Sequence, residues 1–131
     1  MAILVDPQIF IWSLISPEKI KIANKDLLRN NTIYVSVISF LEIAIKQKVG
    51  KLNELTQTTA ELKKQAITDG FQILDLTIEQ VSYYDSLPLF SEHRDPFDRI
   101  LLATSLYEKF KIMSSDANFK LYEEQIELII N

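Results

Sequence analysis

Apolar positions along the chain switch between strand-like and helix-like spacing, and each switch carries a start or stop signal. Residues 2–5 are a short apolar run closed by Asp6-Pro7. Such a run fits a strand buried on both faces. An Asp followed by Pro fits a helix N-cap with proline at the first helical position, so a helix is predicted from Pro7 to about Leu14. Ser16-Pro17-Glu18 repeats the start signal, and Ile20, Leu27 and Leu28 carry near-helical spacing up to Asn30-Asn31. Residues 33–37 alternate and are β-branched, which predicts a second strand.

Helices are then predicted over residues 39–49, stopped by Gly50, and over residues 58–69, stopped by Gly70. Residues 71–76 read as a third strand. Thr77 with Gln80 three residues on forms a capping box for a short helix ending near Leu87-Pro88. Asp95-Pro96 starts a helix reaching about Phe110. A fourth strand over residues 111–114, a short helix over 116–122 and a last strand over 126–130 complete the chain. Strands that alternate with helices require crossover connections. The expected fold is therefore a three-layer α/β/α domain with a mostly parallel five-stranded sheet, one domain over residues 1–131.

Composition narrows the chemistry. The chain is 47% hydrophobic and 24% charged, ordinary values for a globular core. With no cysteine, disulfides, thiolate nucleophiles and thiolate zinc sites drop out, and a reducing cytoplasm is the expected compartment. Asp6 interrupts the first apolar run before a signal-peptide core can form, and no stretch has the roughly 18 apolar residues a membrane span needs. A net charge of −4 argues against broad charge-driven adhesion to nucleic acid, so any such site must be local. Lys46, Lys48 and Lys51 form the clearest basic group, which reads either as a solvated face or as a phosphate contact.

The two glycines, Gly50 and Gly70, both fall at helix stops, which removes glycine-rich phosphate loops. The one histidine, His93, stands in a predicted loop beside Arg94 without a nucleophile motif and reads as an exposed loop residue. A phosphoacceptor receiver domain also gathers acids at strand ends. It needs paired acids after the first strand and a lysine after a late one, and neither is present.

What remains is acid. In an open α/β sheet, ligands collect outside the carboxyl ends of the strands. Asp6 ends the first strand, Asp116 follows the fourth, Glu42 lies in the helix after the second, and Asp98 lies in the first turn of the helix that leads into the fourth. All four are expected at one edge of the sheet. Carboxylates packed together stay ionised only if a cation neutralises them, and an all-oxygen set favours Mg²⁺ or Mn²⁺. Each acid also has a structural reading. Asp6 and Asp116 can cap helices, Asp98 can complement a helix dipole behind an Asp95 cap, and Glu42 can pair with Lys46 at i+4.

The words around these acids separate the readings. Leu4-Val5-Asp6, the segment from Ser36 to Lys46 with Gly50-Lys51-Leu52, His93-Arg94-Asp95-Pro96-Phe97-Asp98-Arg99 and Ser114-Ser115-Asp116 together resemble PIN domains of the VapC toxin type, over essentially the whole chain and in order. The resemblance implies a Mg²⁺- or Mn²⁺-dependent endoribonuclease acting on RNA, the toxin half of a toxin–antitoxin pair with a cognate antitoxin protein. It implies Asp6, Glu42, Asp98 and Asp116 as catalytic acids, with Asp6, Asp98 and Asp116 as direct metal ligands and Glu42 as a ligand or a base acting through water. Lys46, Arg99 and Ser114 are candidate substrate contacts, and Ser114 can instead bond a carboxylate. One position departs from the family, which commonly carries Thr or Ser after its first aspartate where this chain has Pro7. Pro7 supplies neither hydroxyl nor N–H, which leaves a non-catalytic PIN-like binding module as the alternative. A homodimer is expected because the first helices carry Ile9, Phe10, Trp12, Leu14 and Ile15, more apolar surface than one face needs.

Overall fold

The computed structural model describes residues 1–131. Five strands, β1 (Ala2–Val5), β2 (Thr32–Ser36), β3 (Gln72–Leu74), β4 (Lys111–Ser114) and β5 (Leu128–Ile130), form one sheet in the order β3-β2-β1-β4-β5. Every pairing is parallel, with Val5 beside Val35 and Met113. The helices are α1 (Pro7–Ile15), α2 (Ile22–Asn30), α3 (Val37–Lys48), α4 (Thr59–Thr68), α5 (Ile78–Ser82) and α6 (Pro96–Glu108). Short 3-10 turns cover Pro17–Lys19, Tyr83–Ser86 and Ala117–Tyr122.

The period of two in the strands divides the interior. Ile3, Val5, Ile33, Val35 and Met113 face one core, which they share with Ile9 and Phe10 of α1, Phe40 and Ile43 of α3 and Leu62 and Ala66 of α4. Leu4 and Ile112 point to the opposite face, where Leu101, Leu102, Phe119, Tyr122 and Ile126 meet them. Because β1 is buried on both faces, its sequence reads as an unbroken apolar run, and in β4 the same burial shows in the central pair Ile112-Met113. Phe10 anchors the first core, its ring 5.5 Å from that of Phe40 and 5.2 Å from that of Phe71.

Local signals set most of the boundaries. Asp6, Thr58, Thr77 and Asp95 each cap the helix that follows, and Thr58 with Glu61 and Thr77 with Gln80 close full capping boxes. Gly50 and Gly70 follow their helices with φ of 75° and 92°, values a side chain disfavours.

Three expectations change. α3 begins at Val37 and not at Ser39, because the Ser36 hydroxyl accepts from Ile38 N at 3.1 Å and ends the strand early. The helix expected to run on from Pro17 is broken: a 3-10 turn stops at Lys19, and α2 starts at Ile22 with no cap of its own. Its Lys21 N–H donates instead to Asn131 Oδ1 at 2.8 Å. The apolar face expected to support a homodimer is used inside the domain. Ile9 and Phe10 are fully buried, Trp12 and Leu14 pack against the same core, and among the five only Ile15 is exposed.

Candidate metal centre

Strand order runs outward from β1 in both directions, so the connections after β1 and β3 leave on opposite faces. A crevice opens where they part, at the carboxyl ends of β1 and β4. Asp6 follows β1 directly, and Ser114 is the last residue of β4. α3 starts at this edge because it follows β2, which delivers Glu42. α6 leads back into β4, so its N-terminal turn, with Asp98, lies here too.

Asp6 and Ser114 join the two halves. Asp6 Oδ1 accepts from Ile9 N at 2.8 Å, its capping bond, while Oδ2 accepts from Ser114 Oγ at 2.6 Å and from Ser115 N at 3.4 Å. Ser114 Oγ in turn accepts from Asp116 N at 2.9 Å, and Asp116 Oδ1 caps the next turn through Asn118 N at 2.9 Å. Ser114 thus binds a carboxylate with its one hydrogen. Ligand atoms of His93, Asp98 and Asp116 lie within 4.8 Å of one another, and so do those of Glu42, Asp95 and Asp98. Asp98 belongs to both groups.

Burial and neighbouring charge shift three of the acids. Burial pushes Asp6 from 3.8 up to about 6, against the lowering effect of its bonds from Ser114, Ile9 and Ser115, and Asp98 adds to the rise. Burial likewise raises Glu42 and Asp98. Lys46 offsets part of the Glu42 rise while Asp98, Asp95 and Asp6 add to it, and at Asp98 the His93 bond opposes the charges of Asp95 and Asp116.

Two magnitudes bear on the cap and ligand readings of Asp6. The cap is worth about 1 kcal/mol. Holding the carboxylate ionised at neutral pH, given a carboxyl raised to about 6, costs about 3 kcal/mol. Asn or Ser would cap the helix without that cost, so capping does not account for an aspartate here. A cation nearby would remove the cost; Asp6 lies outside both groups of ligand atoms but near enough to Asp98 for that acid to raise it. Carboxylate oxygens dominate both groups, which suits a hard divalent ion.

The other residues singled out in the sequence fall as follows. Glu42 is buried and makes no ion pair with Lys46, which is half-buried and without a carboxylate partner within 4.0 Å. Arg99 is only 3% exposed and turned away from solvent. Its guanidinium donates to Tyr84 OH at 3.1 Å, Pro88 O at 2.9 Å and Tyr122 OH at 3.0 Å, so it is spent on the protein and is not placed to meet a phosphate. His93, expected to be exposed, is 4% exposed, because an aromatic wall of Phe119 and Tyr122 encloses its ring. Its Nε2 is 3.0 Å from Asp98 Oδ2. Sequence spacing missed His93 and Tyr122 as members of this site and placed Asp95 beside the acid set, as the helix cap. The only signal for His93 was its tight spacing with Asp95 and Asp98 before one helix, and Tyr122 had none.

Tyr122 is fully buried, and its hydroxyl meets Arg99 and His93. Tyr122→Phe strands both partners, so urea denaturation should show a loss of about 1–3 kcal/mol. A loss below about 0.5 kcal/mol would mean that water or rearrangement satisfies them.

No helix is long and apolar enough to cross a membrane. A PIN domain family model matches residues 3–125. Among curated proteins no sequence match is found. Among solved structures, VapBC2 from Rickettsia felis, bound to a DNA fragment from its promoter, is similar with a TM-score of 0.70 at 16% identity, covering 100% of this chain and 99% of that one. VapBC-1 from nontypeable Haemophilus influenzae gives 0.65 at 14% identity, covering 99% and 98%. A toxin–antitoxin complex from Klebsiella pneumoniae gives 0.60 at 16% identity, covering 96% and 94%. With a family match that spans nearly the whole chain and an acidic crevice at the switch point of its parallel sheet, this chain belongs to the PIN domain family.

Proposed function

We propose that the protein is a divalent-metal-dependent endoribonuclease, the toxin of a toxin–antitoxin pair. The observation that supports this reading is the acid gathered around Asp98, which groups with Asp116 and His93 and with Glu42 and Asp95, while Asp6 lies outside both groups but near enough for Asp98 to raise its carboxyl. The likeness in fold to VapBC complexes supports the choice of partner, a cognate antitoxin protein.

Asp6, Asp98 and Asp116 would hold Mg²⁺ or Mn²⁺. Bound there, the cation supplies Lewis-acid polarisation of the scissile phosphodiester and of the attacking water. Ser114 holds Asp6 in place through its 2.6 Å bond, and with Ile9 N and Ser115 N also donating, one lone pair of that carboxylate, on Oδ1, is left for an ion. Glu42, buried and raised, is suited to take a proton from water at its carboxylate oxygen. Lys46, one turn further along α3 and free of an acidic partner, is the candidate contact for the RNA backbone. The test is cleavage of single-stranded RNA by purified protein with and without Mn²⁺. Metal-dependent cleavage is expected, and intact RNA under both conditions would favour a binding module.

Pro7 sits buried at the first position of α1, next to Asp6. Pro7→Thr adds a hydroxyl and a backbone donor beside the anion site and frees the unfolded chain, at about 0.4–1 kcal/mol of stability. Titration should show tighter Mn²⁺ binding with a slightly lower melting temperature. Unchanged affinity would show that Asp6 needs no hydroxyl neighbour.

A further inference from the structure

His93 is the chain's one histidine, is buried, and touches an acid of the proposed centre. Its protons can be assigned by counting donors. Arg99 has no acceptor, so at the 3.0 Å contact Tyr122 OH must accept from Arg99 Nη1. The single phenolic hydrogen then has two acceptors in reach, His93 Nδ1 at 2.9 Å and His93 O at 3.4 Å. The shorter contact wins, so Nδ1 is the acceptor of the ring. In the neutral imidazole the hydrogen therefore lies on Nε2, where it points at Asp98 Oδ2, 3.0 Å away. A polarised line of donors runs Arg99, Tyr122, His93, Asp98.

The Arg99 end of this line is tied down. Arg99 also donates to Pro88 O, and its guanidinium lies 4.8 Å from the Tyr84 ring, which anchors the segment that carries His93 onto α6. Phe90 and His93 close a bridge within that segment. Asp98, by contrast, is half-buried and faces the like charges of Asp95 and Asp116, so nothing but His93 restrains its side chain.

We propose that His93 is the positioning residue for Asp98: its Nε2–H holds Oδ2 and presents Oδ1 to the divalent cation, while Tyr122 and Arg99 fix the tautomer from behind. This rests on the metal-centre reading. It also removes His93 from the ligand set, although its ring nitrogen lies within 4.8 Å of Asp98 and Asp116 ligand atoms, because the nitrogen that faces them carries the hydrogen. Partners behind a ligating carboxylate of this kind are typically worth about 10–100-fold in metal affinity.

Two measurements test it. Because the chain has one histidine, a nitrogen-15 spectrum of the imidazole has one residue to assign. The Nε2–H tautomer is expected at neutral pH and again at saturating Mg²⁺. An Nδ1–H tautomer, or an Nε2 that loses its hydrogen on Mg²⁺ addition, overturns the proposal. Second, Mn²⁺ binding is followed by electron paramagnetic resonance of the free ion, without RNA. His93→Phe keeps the ring packing and should weaken binding about tenfold or more. His93→Gln, whose amide can donate at a similar reach, should recover most of it, with both variants similar in melting temperature when metal-free. Wild-type affinity in folded His93→Phe, or equal weakness in both variants, overturns the role of His93 alone. Absence of Mn²⁺ binding in the wild type overturns the metal centre itself. If His93→Phe does not fold, the tautomer measurement on the wild type decides.

Discussion

Chelation with EDTA should reduce RNA cleavage by the purified protein to background, and added Mn²⁺ or Mg²⁺ should restore it. The expectation follows from the inventory at the crevice. Asp6, Glu42, Asp98 and Asp116 bring negative charge to a site that must accept a phosphodiester, and the histidine beside them is committed to Asp98. Without a cation the site repels its substrate. Stability should respond as well. A ligand at 100 times its Kd, bound only by the folded state, adds about 3 kcal/mol, so Mn²⁺ should raise the melting temperature by several degrees. Cleavage that persists after full metal removal would refute the proposal, and an unmoved melting temperature would place the ion elsewhere.

Asp6→Asn should lower cleavage by more than about 100-fold and stabilise the metal-free protein. The first figure is a floor, since partners that merely orient a ligand are already worth about 10–100-fold. The second comes from Asp6 being buried. Its carboxyl, raised from 3.8 to about 6, binds a proton more tightly in the folded state than in the unfolded chain. Folding stability from this group therefore declines as pH rises from about 4 to about 6 and stays at its lower level above that. Asparagine cannot ionise, still accepts from Ile9 N for the cap, and offers its amide to the Ser114 hydroxyl. It loses the long 3.4 Å bond from Ser115 N. The net gain at pH 7 should be on the order of 1–3 kcal/mol. Melting temperatures between pH 4 and 8 should show a falling slope in metal-free wild type that flattens in the variant. Wild-type cleavage in Asp6→Asn would leave Asp6 as a cap only.

Much of the fold was legible because its signals are local. Asp6-Pro7, the Thr58 and Thr77 capping boxes, Asp95-Pro96 and the two helix-stop glycines act through bonds spanning at most a few residues, so spacing alone reveals them. The double-sided burial of β1 was legible in its unbroken apolar run, and parallel order followed from strands alternating with helices. The acids were legible at one edge of the sheet because each stands at the carboxyl end of a strand or at the helix end that shares that edge; that Asp98 joins Asp116 on one side and Glu42 on the other, with Asp6 outside both groups, was not legible.

Contacts between distant residues were beyond reach. Asn131 starts α2 by accepting from Lys21 N, and its own N–H donates to Ser114 O at 2.8 Å. No nearby residue signals either bond. The burial of Ile9 and Phe10 depended on whether Phe40 and Phe71 would come round to meet them. His93 read as a solvated loop residue because its surroundings, Phe119, Tyr122 and Asp98, are assembled by the close approach of α6 and the segment after β4. Arg99, which reads like a free cation beside an acidic word, is claimed by Tyr84, Pro88 and Tyr122. The sequence by itself determined which chemistry was present and at which edge of the sheet it would lie, since capping and periodicity are short-range. Only the tertiary structure decided which polar groups face the crevice and which are consumed in holding it, because a buried donor must find its acceptor wherever the packed chain happens to bring one.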